Sequence, residues 1–544
     1  MGNQGFGNND VYDTESGGEA VIQGNEYGVP EYGKTQFGPA TYAGTGSTMS
    51  RTKPDGVSFA KYGIIALIYA VVRTICLYQN TSGITYPIYM AVTLFLLEWA
   101  RKRDGFSIFY SKAGKRGLNI FYIISLMLLS ISKCMTANAE LLWINEFAID
   151  LLMVCFLLHM YVDTNNWDII GWFNAVVLTM IRPLANIADP VRDLIEWVTT
   201  HGKTINAEKK KNIMAAVIGV CISIPLLAFV IVLLASADAI FSDVLRHAFD
   251  FIYEFENIWD VFGIGVMLIW SVWLFYTVVK ALSKDSFINE DNKNAGFNPI
   301  IAITFSGLLC MVYLFFSVIQ IVFLFMGNMT LPAKYTYAEY AHEGFYQLLA
   351  VALINLLMVT LCQRLFKKSR VLRVVLIIIG LCTYIMLASS AFRMFMYIKA
   401  YNLTFMRVFV LWFLAVMALC LSYLIAGMFI GQLPVFNLCM ITVTVMYLIF
   451  VFSNPDYQVA RYDLARMGEK TAVGPEWDSS LSYYLINEVS EDAVPAFAGN
   501  KDLLHEFASS YDHDYRDNKG KYNKIREFNF SKYRAYKILA EATK

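Results

Sequence analysis

The sequence predicts an all-α membrane protein, a polytopic helical bundle of about eleven spans with interfacial helices and a small C-terminal helical region. Three observations lead there. Of 544 residues, 57% are hydrophobic and only 16% charged, and the mean hydropathy is +0.47; an ordinary soluble domain carries more charge. The apolar residues gather in blocks of about 18 or more, the length that a helix needs to cross ~30 Å of hydrocarbon. The blocks are continuous, unlike the alternating ~10-residue segments of a barrel, and lipid admits only helices or closed barrels as spanning structures.

Residues 1–57 are expected to form a disordered tail, because "GNEYGVPEYGKTQFGPATYAGTG" lacks a repeating apolar face. The first apolar block starts near Phe59, past the place of a signal peptide, so the tail should remain on the mature chain. Residues 58–453 should form the bundle. Its spans are expected at Phe59 to Tyr78, Ile84 to Ala100, Leu118 to Met135, Glu140 to Met160, Ile213 to Ala235, Trp259 to Leu282, Pro299 to Met326, Gly344 to Leu365, Val374 to Tyr397, Phe405 to Phe429 and Val435 to Phe452. Trp167 to Val198 and Ala237 to Phe255 mix apolar and charged residues at helical spacing, as helices lying in the interface do.

Basic residues set the expected orientation. Arg101, Lys102, Arg103, Lys112, Lys115 and Arg116 follow the second span, Arg182, Arg192, Lys203 and Lys209 to Lys211 the fourth, and Arg364, Lys367, Lys368, Arg370 and Arg373 the eighth. With these loops cytoplasmic, the N-terminal tail is inside and residues 454–544 are outside. That last region has soluble composition and should form a helical cap. In "SNPDYQVARYDLARMG", Asn454 is a natural N-cap, Pro455 suits the first helical position, and Tyr457, Ala460, Leu464 and Met467 recur at helical spacing. "SEDAVPAF" marks a second helix start, and "NFSKYRAYKILAEA" a closing helix with Tyr533, Tyr536 and Leu539 on one side.

All nine cysteines lie in or beside the apolar blocks, which argues against a disulfide framework or a Cys-ligated zinc site. The formal net charge is zero, so nothing points to nucleic acid. No P-loop, G-x-S-x-G elbow or G-x-G-x-x-G after a strand is present, and no cofactor or catalytic residue is assigned.

Two polar groupings stand out. In span four, Glu146 and Asp150 are one turn apart, with Asp150 near the middle. Each such acid costs at least ~2.5 kcal/mol on insertion scales, so both should face protein or water. Arg73 in span one lies about four residues outward of that span's centre, as Glu146 does in its own, an equal offset of ~6 Å. An Arg73 to Glu146 pair is therefore expected; a proton or ion pathway through Asp150, or a shallow wet cleft, is the alternative.

At the head of span eight, Thr336 and Glu339 match a T-x-x-E capping box, which predicts a helix beginning at Thr336. Glu339, His342, Glu343, Tyr346 and Gln347 then share one polar stripe. Two carboxylates and an imidazole could hold a divalent metal or relay a proton. The plainer reading is the wet end of a spanning helix, with Tyr335, Tyr337, Tyr340 and Tyr346 as its aromatic belt. Tyr346 stands where H-E-x-x-H needs its second histidine, so no metal is assigned.

Several phrases together resemble a known family: "TYAEYAHEGFYQLLAVALINL", "RMFMYIKAYNLTFMRVFVLWF", "NPDYQVARYDLAR", "SEDAVPAF" and "EFNFSKYRA". In this order they are similar to a bacterial family of multi-pass inner-membrane proteins catalogued as domain of unknown function 4173, with a close sister family, over roughly residues 60 to 540. The resemblance implies topology and a bacterial source, not a reaction. In that pattern the place of His342 is more usually arginine, which speaks against a metal there and for a cation paired with Glu339 or Glu343.

The resulting expectation is a non-enzymatic sensor, binding or scaffold protein of the bacterial cytoplasmic membrane. Its partners would be the lipid bilayer and an envelope protein or small-molecule ligand. The alternatives are a secondary transporter using Glu146 and Asp150, and an intramembrane enzyme acting on lipid-linked substrate through Glu339, His342 and Glu343.

Overall fold

A computed structural model of the chain describes residues 56–165, 167–201, 258–283, 296–326, 337–431, 433–467, 477–518 and 525–542, with isolated positions between 219 and 234. Regular structure among them is helical, apart from one isolated bridge between Phe297 and Phe366. The bundle helices are α1 (Gly56–Leu77), α2 (Thr85–Arg103), α3 (Gly117–Lys133), α4 (Ala139–Tyr161), α5 (Ile169–Ala185), α6 (Asp189–His201), α7 (Ile258–Ser283), α8 (Pro299–Met326), α9 (Tyr337–Leu365), α10 (Arg370–Ala400), α11 (Phe405–Phe429) and α12 (Val435–Phe452). A cap follows, made of α13 (Pro455–Arg466), α14 (Trp477–Asn487), a 3₁₀ segment (Glu491–Gly499), α15 (Lys501–Asn518) and α16 (Phe530–Ala542).

Eight of these helices are long and apolar enough to cross a membrane: α1, α4 and α7 to α12. The all-α polytopic bundle is thus present. The second and third expected spans are the helices α2 and α3. Among the apolar helices α3 is a short one, and α2 carries Glu98 and three basic residues in its last two turns. The fifth expected span and the stretch Ala237 to Phe255 lie outside the described residues, save isolated positions, as does the N-terminal tail up to residue 55.

The bundle has two distinct ends. The α1–α2, α3–α4 and α10–α11 connections meet the cap: Ile84 N–H donates to the Phe528 carbonyl, Phe530 N–H to that of Cys134, and Leu403 N–H to Asp463. The three basic loops of the sequence lie together at the opposite end, where Phe297 bridges Phe366 and Arg364 of α9 pairs with Asp168. Helix α7 runs antiparallel to α1, with the Tyr276 ring 5.9 Å from that of Phe59 and Gly263 facing the Tyr78 hydroxyl.

Contacts at both ends of α5 and α6 explain the mixed stretch Trp167 to Val198. Asp168 meets the basic end of α9 at 2.8 Å, Trp172 stacks on Phe436 at the first turn of α12, and Asp189 pairs with Lys280 in the last turn of α7 at 2.8 Å. The two helices bend by 56° between them, but all these contacts are with one end of the bundle, so the pair lies across that end. Lys280 is also 2.5 Å from Asp193, which accepts from the Tyr276 hydroxyl, a buried ion cluster that clamps α6 onto α7. The chain leaves α6 at the basic end and enters α7 at the cap end.

Cap helix α13 begins as its sequence predicts. Asn454 takes a left-handed backbone with φ 53° and accepts from Tyr457 N–H, and Pro455 fills the first turn. Its inward face differs from expectation: Asp456, Val459, Ala460 and Asp463 are buried, while Tyr457, Leu464 and Met467 are half-buried. Hydropathy could not rank two aspartates as inward, because donors on other elements make their burial tolerable. Likewise α16 buries Ala535 and Leu539 and leaves Tyr533 exposed against Phe528. The phrase "SEDAVPAF" forms a 3₁₀ segment capped by Ser490.

Candidate functional site

Charged side chains converge within the bundle where α1 to α4 and α7 meet. Glu146 pairs with Lys133, the last residue of α3, and accepts from the Tyr86 hydroxyl at 3.0 Å. Lys133 is buried and also stands over the Tyr86 ring at 4.4 Å. Arg73 donates to Ser271 of α7 at 2.9 Å. The expected Arg73 to Glu146 pair is therefore replaced: Glu146 takes its cation from the adjoining helix of its own hairpin. Asp150 lies on an exposed part of α4, within electrostatic reach of Glu146, Arg73 and Lys133. Two acids and two cations thus balance in one polar centre. Next to it, Tyr447 donates to Asn145 at 2.8 Å, and Asn145 to Ser132 at 3.2 Å, so α12 joins the α3–α4 hairpin.

Lys133 had been missed because it stands at the edge of an apolar block, where a lysine reads as an interfacial residue. A signal was present in the chain: the short α3 leaves its terminal lysine beside the start of α4, inside one hairpin.

Directly beyond this centre, the cap is joined to the bundle by hydrogen bonds to three side chains. Asp492 accepts from the Thr136 hydroxyl at 2.5 Å, from Ala137 N–H at 2.8 Å and from the Ser531 hydroxyl. Asp456 accepts from Asn138 at 2.9 Å and from Ser490 N–H at 3.1 Å. Asn529 donates to the carbonyls of Ser82 and Thr136, at 3.0 and 2.9 Å. Burial pushes the Asp492 carboxyl up to about 6, against the Ser531, Thr136 and Ala137 donors that favour its ionised form.

The far end of α13 grips the other half of the bundle. Arg466 donates to the carbonyls of Ile398 and Lys399, covering the C-terminus of α10, at 3.1 and 2.8 Å. Asp463 is fully buried, with one oxygen taking Leu403 N–H at 2.8 Å and the other without a hydrogen bond among the described residues. Burial raises its carboxyl to about 7, while Leu403, Arg407 and Arg466 hold it down. Helix α13 is therefore a bracket between the α3–α4 and α10–α11 connections.

A groove of about 490 Å³ opens between cap and bundle beside this bracket. Its lining includes Asn138, Glu140, Phe405, Tyr484, Glu488 and Glu491. Glu491 lies 3.8 Å from Lys532. The groove brings together residues more than 260 positions apart, so sequence spacing could not indicate it.

At the head of α9, the helix starts at Tyr337, one residue after the expected N-cap. Glu339, His342 and Glu343 are on this helix, but their side chains lie outside the described residues; Gln347 is exposed and accepts from Gly344 N–H at 2.7 Å. Gly344 has φ 115°, and a Cβ there would meet Arg393 Nη1. Arg393 of α10 is thus a cation at the level of the polar stripe. Among the described residues no group of three or more His, Cys, Asp or Glu could hold a metal.

A family model described as Domain of unknown function (DUF4153) matches residues 123–499, over half of the chain. The chain belongs to this family. The sequence phrases had suggested the 4173 family; the match supports a domain-of-unknown-function membrane protein and does not extend to that family. The DUF4153 region takes in Lys133, Glu146, Asp150, Asp456, Asp463 and Asp492, whereas Arg73, Asn529 and Ser531 come from outside it. No curated protein and no solved structure matches the chain.

Proposed function

We propose that this DUF4153 protein is a non-enzymatic membrane protein whose cap is a fixed binding or scaffold platform on the outer face of a bacterial cytoplasmic membrane. The cap–bundle joints carry this reading. Phrases that resemble a family supply Asp456, Asp463, Arg466, Asp492 and Asn529, whose side chains bond to the bundle, and Ser490 and Ser531, which hold Asp456 and Asp492 from within the cap. The basic end is then cytoplasmic, with the N-terminal tail inside and the cap outside, by the excess of Lys and Arg in its loops. The groove beside Tyr484 is the place for a small ligand or a partner's side chain.

A transporter would need its intramembrane acids on a polar path. Glu146 is instead engaged by Lys133 and Tyr86, which favours the platform reading. The experiment is photocrosslinking in cells from Tyr462 and Tyr483, both exposed on the cap, paired with transport assays in proteoliposomes. One discrete adduct shared by the two positions, with no solute movement, is the expected result. Uptake or efflux that disappears in Asp150→Asn while folding is intact would overturn it.

A further inference from the structure

We propose that the loop between α2 and α3 is a docking surface for anionic phospholipid headgroups at the basic end of the bundle. The loop is held from within. Glu98 accepts from Ile108 N–H at 2.8 Å and from the Ser107 hydroxyl, Asn119 donates to the Ile108 carbonyl at 2.7 Å, and Ser111 N–H closes a turn onto the Lys115 carbonyl at 2.9 Å. This frame turns the aromatic rings out: Phe106, Phe109 and Tyr110 are 49%, 46% and 38% exposed. Exposed Lys102, Arg103, Lys112, Lys115 and Arg116 surround them.

Among the described residues the cations here outnumber the acids, and exposed Asp163 accepts from the Asn165 amide at 2.8 Å. Asp104 faces inward to the Tyr62 hydroxyl at 2.6 Å and to Lys61 at 3.2 Å, and Glu98 meets Lys102 at 3.2 Å while serving the loop amides. Arg116 lies over the Tyr110 ring at 4.3 Å and Lys112 over Phe106 at 5.6 Å, so several cations and rings form one amphipathic surface. Lys115 donates to Asn165, a neutral partner, at 2.8 Å.

Position favours lipid over a soluble partner. The exposed rings continue into exposed Ile120 and Ile124 on α3, an apolar stripe of the kind that lipid covers. Lys112, Lys115 and Arg116 directly precede the first turn of α3, and charges so placed draw that end of an apolar helix to headgroup depth. Aromatic rings prefer that depth, and clustered Lys and Arg there attract anionic headgroups.

The full-length protein, purified with equal amounts of phosphatidylglycerol and phosphatidylcholine, tests this by native mass spectrometry of retained lipid. Wild type should hold phosphatidylglycerol preferentially. The triple variant Lys112→Gln, Lys115→Gln, Arg116→Gln should retain at least about tenfold less, with unchanged thermal unfolding in phosphatidylcholine. A control removing three charges elsewhere at the same end, Lys367→Gln, Lys368→Gln, Arg370→Gln, should retain the wild-type amount. Equal loss in both variants, or no preference in the wild type, would overturn the proposal.

Discussion

Lys133 and Glu146 close an ion pair across the α3–α4 hairpin, with the lysine buried and the Tyr86 hydroxyl donating to the same carboxylate. The pair neutralises charge close to where the cap is attached, since the Lys133 carbonyl also lies 3.4 Å from the Asn529 amide. Removing one partner strands the other. Lys133→Met should cost about 2 kcal/mol, less than a fully buried pair because Glu146 keeps a 39% exposed side chain. The double variant Lys133→Met, Glu146→Gln should recover much of the loss. Thermal unfolding in detergent checks both; a double variant less stable than either single one would refute the pairing.

The cap joints should respond to pH through Asp463. Its carboxyl is raised from 3.8 to about 7 in the folded protein, so folding favours the protonated form. That contribution is fully present below about pH 4 and is lost as pH rises towards 7. Asp463→Asn should therefore stabilise the protein at pH 8, on the order of 2 kcal/mol, and flatten the stability profile between pH 4 and 7. Asp492, raised to about 6, adds the same trend over a narrower window. Unfolding across a pH series decides.

Asn529→Ala should loosen α16 without unfolding the bundle. It removes the donors to the part-buried Ser82 carbonyl and the buried Thr136 carbonyl. Hydrogen exchange at Ile84 and Phe530, whose amides bond across the joint, should quicken about tenfold, as a loss of ~1.4 kcal/mol implies. Exchange in α8 should not change.

Gly344→Ala should destabilise α9. The positive φ disfavours a side chain, and the new methyl would meet Arg393. A loss of about 2 kcal/mol is expected, and Gly344→Ala with Arg393→Ala should recover only the steric part. The measurement is again thermal unfolding, with wild-type α-helix content as the check on folding.

Much of this architecture could be read from one dimension. Long apolar blocks become helices wherever lipid surrounds them, because the backbone has no other donor or acceptor there. The spacing of basic loops predicted which connections share an end, and the structure gathers them at one end. The start of α13 at Asn454 and Pro455 was legible because capping is a local interaction. The site was less so. Arg73, Glu146 and Asp150 were recognised as costly, yet the partner assignment failed because depth along a span says nothing about rotation around it.

By itself, then, the sequence determined most of the helices among the described residues, their order, and which basic loops share an end, through hydrophobic length and local capping. Tertiary structure alone decided that Lys133 meets Glu146, that Asp456 and Asp463 point inward from a bracket helix, and that Trp167 to Val198 lies across one end. Those outcomes depend on which donors and cations neighbouring helices present at contact distance, and desolvated charges are stable only where such partners converge.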